Sequence, residues 1–248
     1  MEKLHCRAAL VTGATSGIGR ATAFELARAG MHVIVTGRDR SRGSAVVDRI
    51  RDDGGRADFV PAELDDVDGV RALAQRAIEL TDDRVDILVN NAGLCPFGPT
   101  GVTSDAQFDL AYAVNVRAPY FLVAELAPRM ATRRFGSIVN VTSMVAGFGV
   151  QYMALYGSSK AALELLTKSW AAEYGPRGVR VNAVSPGPTR TEGTDAMGGN
   201  LDALAAPAPA GRPASAEEIA DAIAYLAVGP STFVQGAVLD VDGGRRAV

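Results

Sequence analysis

Tyr156 and Lys160 stand four residues apart in the stretch Tyr156-Gly157-Ser158-Ser159-Lys160. On a helix that spacing puts both side chains on one face, about one turn from each other. An ammonium beside a phenol favours the phenolate and draws its pKa down. The pair therefore predicts a phenol that trades protons near neutral pH. Reducing a ketone or oxidising an alcohol needs such a group. Ordinary amphipathic helices carry the same spacing, so the surrounding elements decide what the pair does.

A second chemical feature is Thr12-Gly13-Ala14-Thr15-Ser16-Gly17-Ile18-Gly19, between an apolar run and a helical pattern. Three glycines there permit a tight turn and let the backbone approach a pyrophosphate. The free amides of the helix start then bind the anion. A third feature, Asn90-Asn91-Ala92-Gly93, ends an apolar run. Its asparagines can brace neighbouring backbone, and Ala-Gly leaves room for a flat ring, though a plain turn needs the same residue types.

Short apolar runs alternate with helical patterns along nearly the whole chain. Strands are expected at Ala8–Thr12, His32–Thr36, Ala57–Pro61, Ile87–Asn90, Ser137–Thr142 and Arg180–Ser185, with a last one in Val238–Gly244. Helices are expected through Ala29, at Ser41–Asp53, Val67–Leu80, Ser104–Asn115, Val116–Ala131 and Ala154–Tyr174. Strands that are apolar throughout suit a parallel sheet covered on both faces. The order predicts a single α/β domain, a Rossmann-like doubly wound sheet of about seven strands with right-handed crossovers. Gly198–Pro213, rich in Ala, Pro and Gly, reads as an irregular segment. Following a strand end, it is expected to act with residues from 188 onward as a substrate loop.

With these motifs in order, the chain resembles the short-chain dehydrogenase/reductase family, of the small ketoreductase-like type. The resemblance rests on Thr12–Gly19, Asn90–Gly93, Asn115, Ser143, Tyr156, Lys160, Pro186-Gly187 and Asp242-Gly243-Gly244, and it spans nearly the whole chain. It implies hydride transfer between a nicotinamide and a carbonyl or alcohol carbon. Tyr156 is then the acid/base, Lys160 lowers its pKa and holds the nicotinamide ribose, and Ser143 holds the substrate oxygen. Asn115, a poor helix former, is expected at a local break that holds a water relaying protons to Lys160. The dinucleotide would be held by Gly13, Thr15, Ser16, Gly17, Ile18 and Gly19, by Asn91, Ala92 and Gly93, and by Pro186, Gly187, Thr189 and Thr191. Glu63 and Leu64 stand where relatives place an acid and an aliphatic residue near adenine. The walls of the substrate pocket are expected to be Leu94, Ser143, Met144, Val145, Gln151, Met153 and Pro188. Most are apolar, which suits a modestly sized, largely nonpolar ketone or alcohol.

The end of the second strand reads Thr36-Gly37-Arg38-Asp39. NAD enzymes place an acid there for the ribose 2′-hydroxyl. Here Gly37 takes that position and Arg38 is available to a 2′-phosphate. NADP(H) is therefore expected as the preferred cofactor, with NAD(H) admissible. Ser16, often basic in NADP-preferring relatives, and the nearby Asp39 point the other way, and Arg38 also fits a solvated turn.

The chain has 248 residues, 48% hydrophobic and 21% charged, with a net charge of −3. This balance gives no electrostatic case for nucleic acid or an anionic membrane. Cys6 and Cys95 lack metal-ligand spacing, so no metal is expected, and reduced thiols in a cytoplasmic protein are the simple reading. No apolar run approaches the ~20 residues of a membrane span. On the Ala154–Tyr174 helix, Leu155, Leu163, Leu166 and Trp170 form a stripe that Ala161, Ala162, Leu165 and Ala172 widen. The surplus fits a homo-oligomer, a dimer or tetramer, and equally a fully covered core helix. Two other readings stay open on the same fold: a nucleotide-sensing regulatory protein, and a non-redox lyase or isomerase.

Overall fold

The computed structural model describes residues 7–248, so Cys6 lies outside the described residues. Seven strands form one parallel sheet: β1 (Ala8–Val11), β2 (His32–Gly37), β3 (Arg56–Pro61), β4 (Val85–Asn90), β5 (Gly136–Val141), β6 (Val179–Pro186) and β9 (Val238–Val241). Their spatial order is β3-β2-β1-β4-β5-β6-β9. The chain winds outward from β1 in one direction, then returns and continues from β4 in the other. The crevice between the carboxyl ends of β1 and β4 is thus the switch point, where ligands bind in open sheets of this kind.

Alternation along the strands fills both faces. Leu10, Ile34, Leu88 and Ile138 point into one core layer, closed by α3 (Val67–Leu80), α5 (Ala118–Thr132) and α6 (Ala154–Tyr174). Val11, Val35, Val89 and Val139 point into the other, closed by α1 (Gly17–Arg28), α2 (Arg40–Asp52) and α8 (Ala216–Ala227). The expected doubly wound sheet is the one found. The bounds expected for α3 and α6 coincide with those observed, and the strands differ from expectation by one to three residues.

Three differences stand out. The two helices expected to meet near Asn115 are α4 (Asp105–Tyr112) and α5, separated by a π-helical turn over Ala113–Arg117. The expected break is therefore a one-turn widening of the helix, a feature that often sits at functional sites. Gly198–Pro213 is not irregular throughout, because α7 (Gly199–Ala205) occupies its first half. A two-stranded parallel ribbon, β7 (Thr189–Arg190) with β8 (Ala214–Ser215), closes the ends of that excursion. Finally, α8 went unread in the sequence. Ser215 and Glu218 form a capping box at its start, and Ile219, Ile223 and Leu226 are its buried face.

A buried polar chain crosses the centre of the sheet near the site. The Asn90 amide donates to Asn140 Oδ1 at 2.8 Å, the Asn140 amide donates to Thr167 Oγ1 at 2.8 Å, and the Thr167 hydroxyl donates to Leu163 O at 2.8 Å. It locks β4, β5 and α6 together just below the residues of interest. A valine at 140 leaves the Asn90 amide without an acceptor. The Asn140→Val variant is expected to lose about 1–3 kcal/mol of stability in urea unfolding.

Candidate active site

Between β1 and β4 lies a crevice of about 620 Å³, within the size range of ligand sites. Gly13, Thr15, Ser16, Gly17, Ile18 and Gly19 form one wall, and Asn91, Ala92, Gly93 and Leu94 another. The two walls are stitched together. The Asn91 side-chain amide donates to Thr12 O at 2.8 Å and to Gly13 O at 3.2 Å. The Asn91 and Ala92 amides both donate to Thr12 Oγ1, at 2.9 and 3.0 Å. Gly13 has φ +63°, and a Cβ there would stand 3.0 Å from Ala92 Cα. The close approach of backbones therefore requires glycine as well as the turn does.

Helix α1 starts without a side-chain cap, unlike α2, α3 and α8, which Asp39, Asp66 and Ser215 cap. Its first amide, Gly17 N–H, donates instead to Glu192 Oε2 at 2.9 Å, and Arg20 pairs with the same carboxylate at 2.5 Å. Burial pushes the Glu192 carboxyl up, but the amide donors and Arg20 outweigh it and hold it below its usual range. A carboxylate thus stands where a helix N-terminus attracts an anion.

At the far end of the crevice Arg38 and Arg42 reach the lining, as do Glu63 and Leu64. Asp39 accepts from the Arg42 backbone N–H at 3.0 Å and from its Nε at 2.9 Å, so it caps α2 rather than facing the crevice alone. Among the described residues Arg38 has no ion-pair partner. A Cβ at Gly37 would stand 2.6 Å from Thr15 Cγ2, which leaves no space for an acidic side chain there without moving Thr15.

Tyr156 and Lys160 are not among the lining residues and stand behind the Gly93 wall. Lys160 is 3% exposed, and its Nζ donates to Val141 O at 2.9 Å. A Cβ at Gly93 would stand 3.1 Å from that Nζ, so the ammonium abuts the crevice wall. It lies 5.9 Å from the Tyr156 ring centroid. Asn115 is fully buried in the π turn. Its amide donates to Leu94 O at 2.8 Å and to Ser159 Oγ at 2.9 Å, and its Oδ1 accepts from Leu94 N at 2.8 Å. It staples the crevice wall to the helix that carries Tyr156 and Lys160.

The electrostatics correct the expectation that Lys160 lowers the Tyr156 pKa. Burial pushes the phenol up to about 12, Cys95 adds to the rise, and only Ser143 pulls it back. Burial also draws the Lys160 ammonium down to about 8, opposed by Cys95. Desolvation disfavours both charged forms and is the foremost cause of each shift. Cys95 is a free thiol beside these two groups, and burial pushes it up while Lys160 opposes.

Of the other residues expected in the site, Leu94 and Thr191 line the crevice. Thr189 is buried, and its hydroxyl donates to Gly187 O at 2.9 Å. Gly187 and Pro188 face a second cavity of about 550 Å³ beside Arg212, Asp240 and Arg246, and Pro186 is buried at the end of β6. Met144 and Val145 are buried in the 3-10 turn that follows Ser143. Gln151 is exposed, and Met153 is half-buried before α6. Arg42 and Glu192 were missed in the sequence. Arg42 had a signal, three residues after the helix-capping Asp39. Glu192 had none, since its contact spans 175 positions. Among the described residues no cluster of His, Cys, Asp and Glu is placed to hold a metal, and no helix is long and apolar enough to cross a membrane.

Comparison with known proteins adds relatives to this geometry. The family model described as enoyl-(acyl carrier protein) reductase matches residues 13–246. A solved structure described as a short chain dehydrogenase/reductase family protein superposes with a TM-score of 0.91 at 48% identity, over 100% of both chains. The cis-4-hydroxycyclohexanecarboxylate dehydrogenase of Sinomonas cyclohexanicum is 38% identical over 98% of this chain and 97% of its own. A 3-oxoacyl (acyl-carrier-protein) reductase from Agrobacterium tumefaciens C58, solved with NADP bound, has a TM-score of 0.91 at 29% identity, covering 96% of this chain and 93% of that one.

Glu192 and an added anion compete for one amide. The Glu192→Gln variant is therefore expected to bind inorganic pyrophosphate about two- to fivefold more tightly by calorimetry.

Proposed function

The chain belongs to the short-chain dehydrogenase/reductase family, and on that premise we propose that it transfers a hydride between NADP(H) and a carbonyl or secondary alcohol, with Tyr156 as the acid/base. The observation that carries this reading is the contact between the crevice wall and the catalytic helix. Lys160 Nζ would stand 3.1 Å from a Cβ at Gly93, so the lysine packs directly behind the wall of the crevice that begins at the glycine turn, with Tyr156 one turn before it on α6. A dehydrogenase and an NADP-bound reductase among the relatives point the same way.

The residues present fit a dinucleotide. The crevice is large enough, and its glycine walls leave no space for side chains at Gly13 and Gly37. The amides at the start of α1 would hold the pyrophosphate, displacing Glu192, and Arg38 and Arg42 would hold a 2′-phosphate. Glu63 and Leu64 border the adenine end. The bound cofactor supplies the hydride or accepts it.

This chain's own residues handle the proton. With its pKa pushed up to about 12, the Tyr156 phenol holds its proton at neutral pH. That is the form required to donate to a carbonyl oxygen being reduced. Ser143, the one neighbour that draws the Tyr156 phenol back down, orients that oxygen beside the phenol. Lys160 keeps a positive charge near the phenolate left behind. Asn115 holds Leu94 and Ser159 in place, so crevice and helix do not drift apart. Alcohol oxidation runs the same steps in reverse and needs the phenolate. The 188–213 segment acts as the substrate cover. A second copy of the chain covers the α6 face, where Leu165 is 66% exposed and Tyr120 of α5 stands beside Trp170 at 6.0 Å.

Two outcomes follow. Tyr156→Phe is expected to lower NADPH-dependent ketone reduction by roughly 10²–10⁴-fold while NADPH affinity, read by fluorescence titration, stays within about twofold. Undiminished turnover would remove Tyr156 from the chemistry. Arg38→Ala is expected to raise KM for NADPH by roughly tenfold or more and to leave KM for NADH unchanged. Equal effects on both cofactors would end the 2′-phosphate assignment.

A further inference from the structure

The C-terminal residues fold back onto the segment that follows Ser143. Asp242 is buried, and its carboxylate accepts from the amides of Gly244, Arg245 and Arg246 at 2.9, 3.1 and 2.9 Å. This closes a tight turn after β9 and brings two arginines over residues 147 and 148. The Arg245 guanidinium lies 5.1 Å from the Phe148 ring centroid, a cation–π contact. The Arg246 guanidinium lies against Gly147, and a Cβ at that glycine would overlap it.

Arg246 also reaches three other elements. Its Nη1 donates to Asp240 Oδ1 at 2.6 Å and to Ser185 Oγ at 3.5 Å. It lies 3.8 Å from Glu164 Oε1. Glu164 stands one turn beyond Lys160 on α6 and accepts from the Thr142 hydroxyl at 3.3 Å. Thr142 directly precedes Ser143. One side chain therefore connects the ends of β6 and β9, the catalytic helix, and both flanks of the serine.

Gly147 shows what this contact demands. Its φ is −101° and its ψ −10°, a conformation open to any residue. The backbone does not require glycine there, and the guanidinium occupies the space that a Cβ would take. Burial raises the Glu164 carboxyl, and Arg246 is the foremost group holding it down. Loss of the arginine leaves a half-buried carboxylate short of its cation and the 144–147 turn uncovered.

We propose that Arg246 is a positioning residue for Ser143, pinning the 142–147 segment through Gly147 and Glu164 so that the serine hydroxyl meets Tyr156. This rests on the reading of Ser143 and Tyr156 as the working pair. The arginine does not line the dinucleotide crevice, so its loss acts on turnover and not on cofactor affinity. A methyl at 147 and the guanidinium compete for one space, so the two substitutions have the same consequence.

The test is a cycle in the full-length chain: Arg246→Ala, Gly147→Ala and the double variant, assayed with NADPH and a reducible ketone. Each single variant is expected to lower kcat by roughly tenfold with NADPH affinity within about twofold. The double variant is expected to be no worse than either single one. Amide hydrogen exchange over 143–149 is expected to quicken in all three. Wild-type kcat in both single variants, or losses that multiply in the double one, overturns the proposal. So does unchanged exchange over 143–149. Should the wild-type chain reduce no carbonyl at all, the proposed function fails separately. The exchange pattern, shared and non-additive or not, then still decides whether Arg246 pins the segment.

Discussion

A buried ammonium organises this molecule's working end. Lys160 sits almost wholly out of water with one backbone acceptor, Val141 O. Such a group is expensive to bury, and several sequence choices around it follow from its presence. Gly93 is a glycine where a side chain would crowd Nζ, and Ser159, beside the lysine, takes a hydrogen bond from Asn115. Asn115 in turn needs its side chain to reach both Leu94 and Ser159, and the π turn at Ala113–Arg117 places it there. A regular helix through these residues would rotate the asparagine relative to its neighbours by the angle that one extra residue per turn supplies. Local irregularity, buried charge and absent side chain are thus one arrangement.

The opposite end of the crevice obeys a different rule. Four helices of the fold, α2, α3, α4 and α8, have side-chain caps, and α1 does not. An uncapped helix start costs stability unless something else accepts from its amides. Here a carboxylate from the far side of the crevice, Glu192, takes Gly17 N–H and Arg20 together. The contact is exposed and exchangeable, in contrast to the buried polar chain through Asn90, Asn140 and Thr167. A binding site gains from that difference: the scaffold is held by bonds that do not change partners, and the anion position is held by one that can.

Much of this was legible in the sequence because it is local. The bounds of α3 and α6, the glycine turn and the spacing of Tyr156 and Lys160 all follow from periodicity and residue type within a few positions. The Asn91 braces were half-readable for the same reason, since two asparagines at a strand end fit a brace and a plain turn alike. What escaped was of two kinds. Helix α8 has both a capping box and an apolar face, and it was overlooked beside a segment whose composition suggested irregularity. Glu192 at Gly17, and Arg246 at Gly147, are contacts between distant positions with no periodic trace. The sign of the Tyr156 shift escaped for a further reason. Spacing gives the distance between two groups on a helix, but desolvation depends on everything packed around them.

That sign changes the physical picture of the pair. A phenol raised to about 12 and an ammonium lowered to about 8 have moved apart, each toward its neutral form. The lysine does not ionise the tyrosine in the resting site. Burial instead sets a state in which the proton rests on the phenol and the cation stands near. Once the proton leaves, the phenolate faces an ammonium across a poorly screened interior, where opposite charges attract far more strongly than in water. In the proposed reaction the lysine would therefore act on the product of proton transfer more than on its starting state. Stabilisation that grows as charge develops is the kind that lowers a barrier, whereas a phenol already ionised at rest would have no proton left to give.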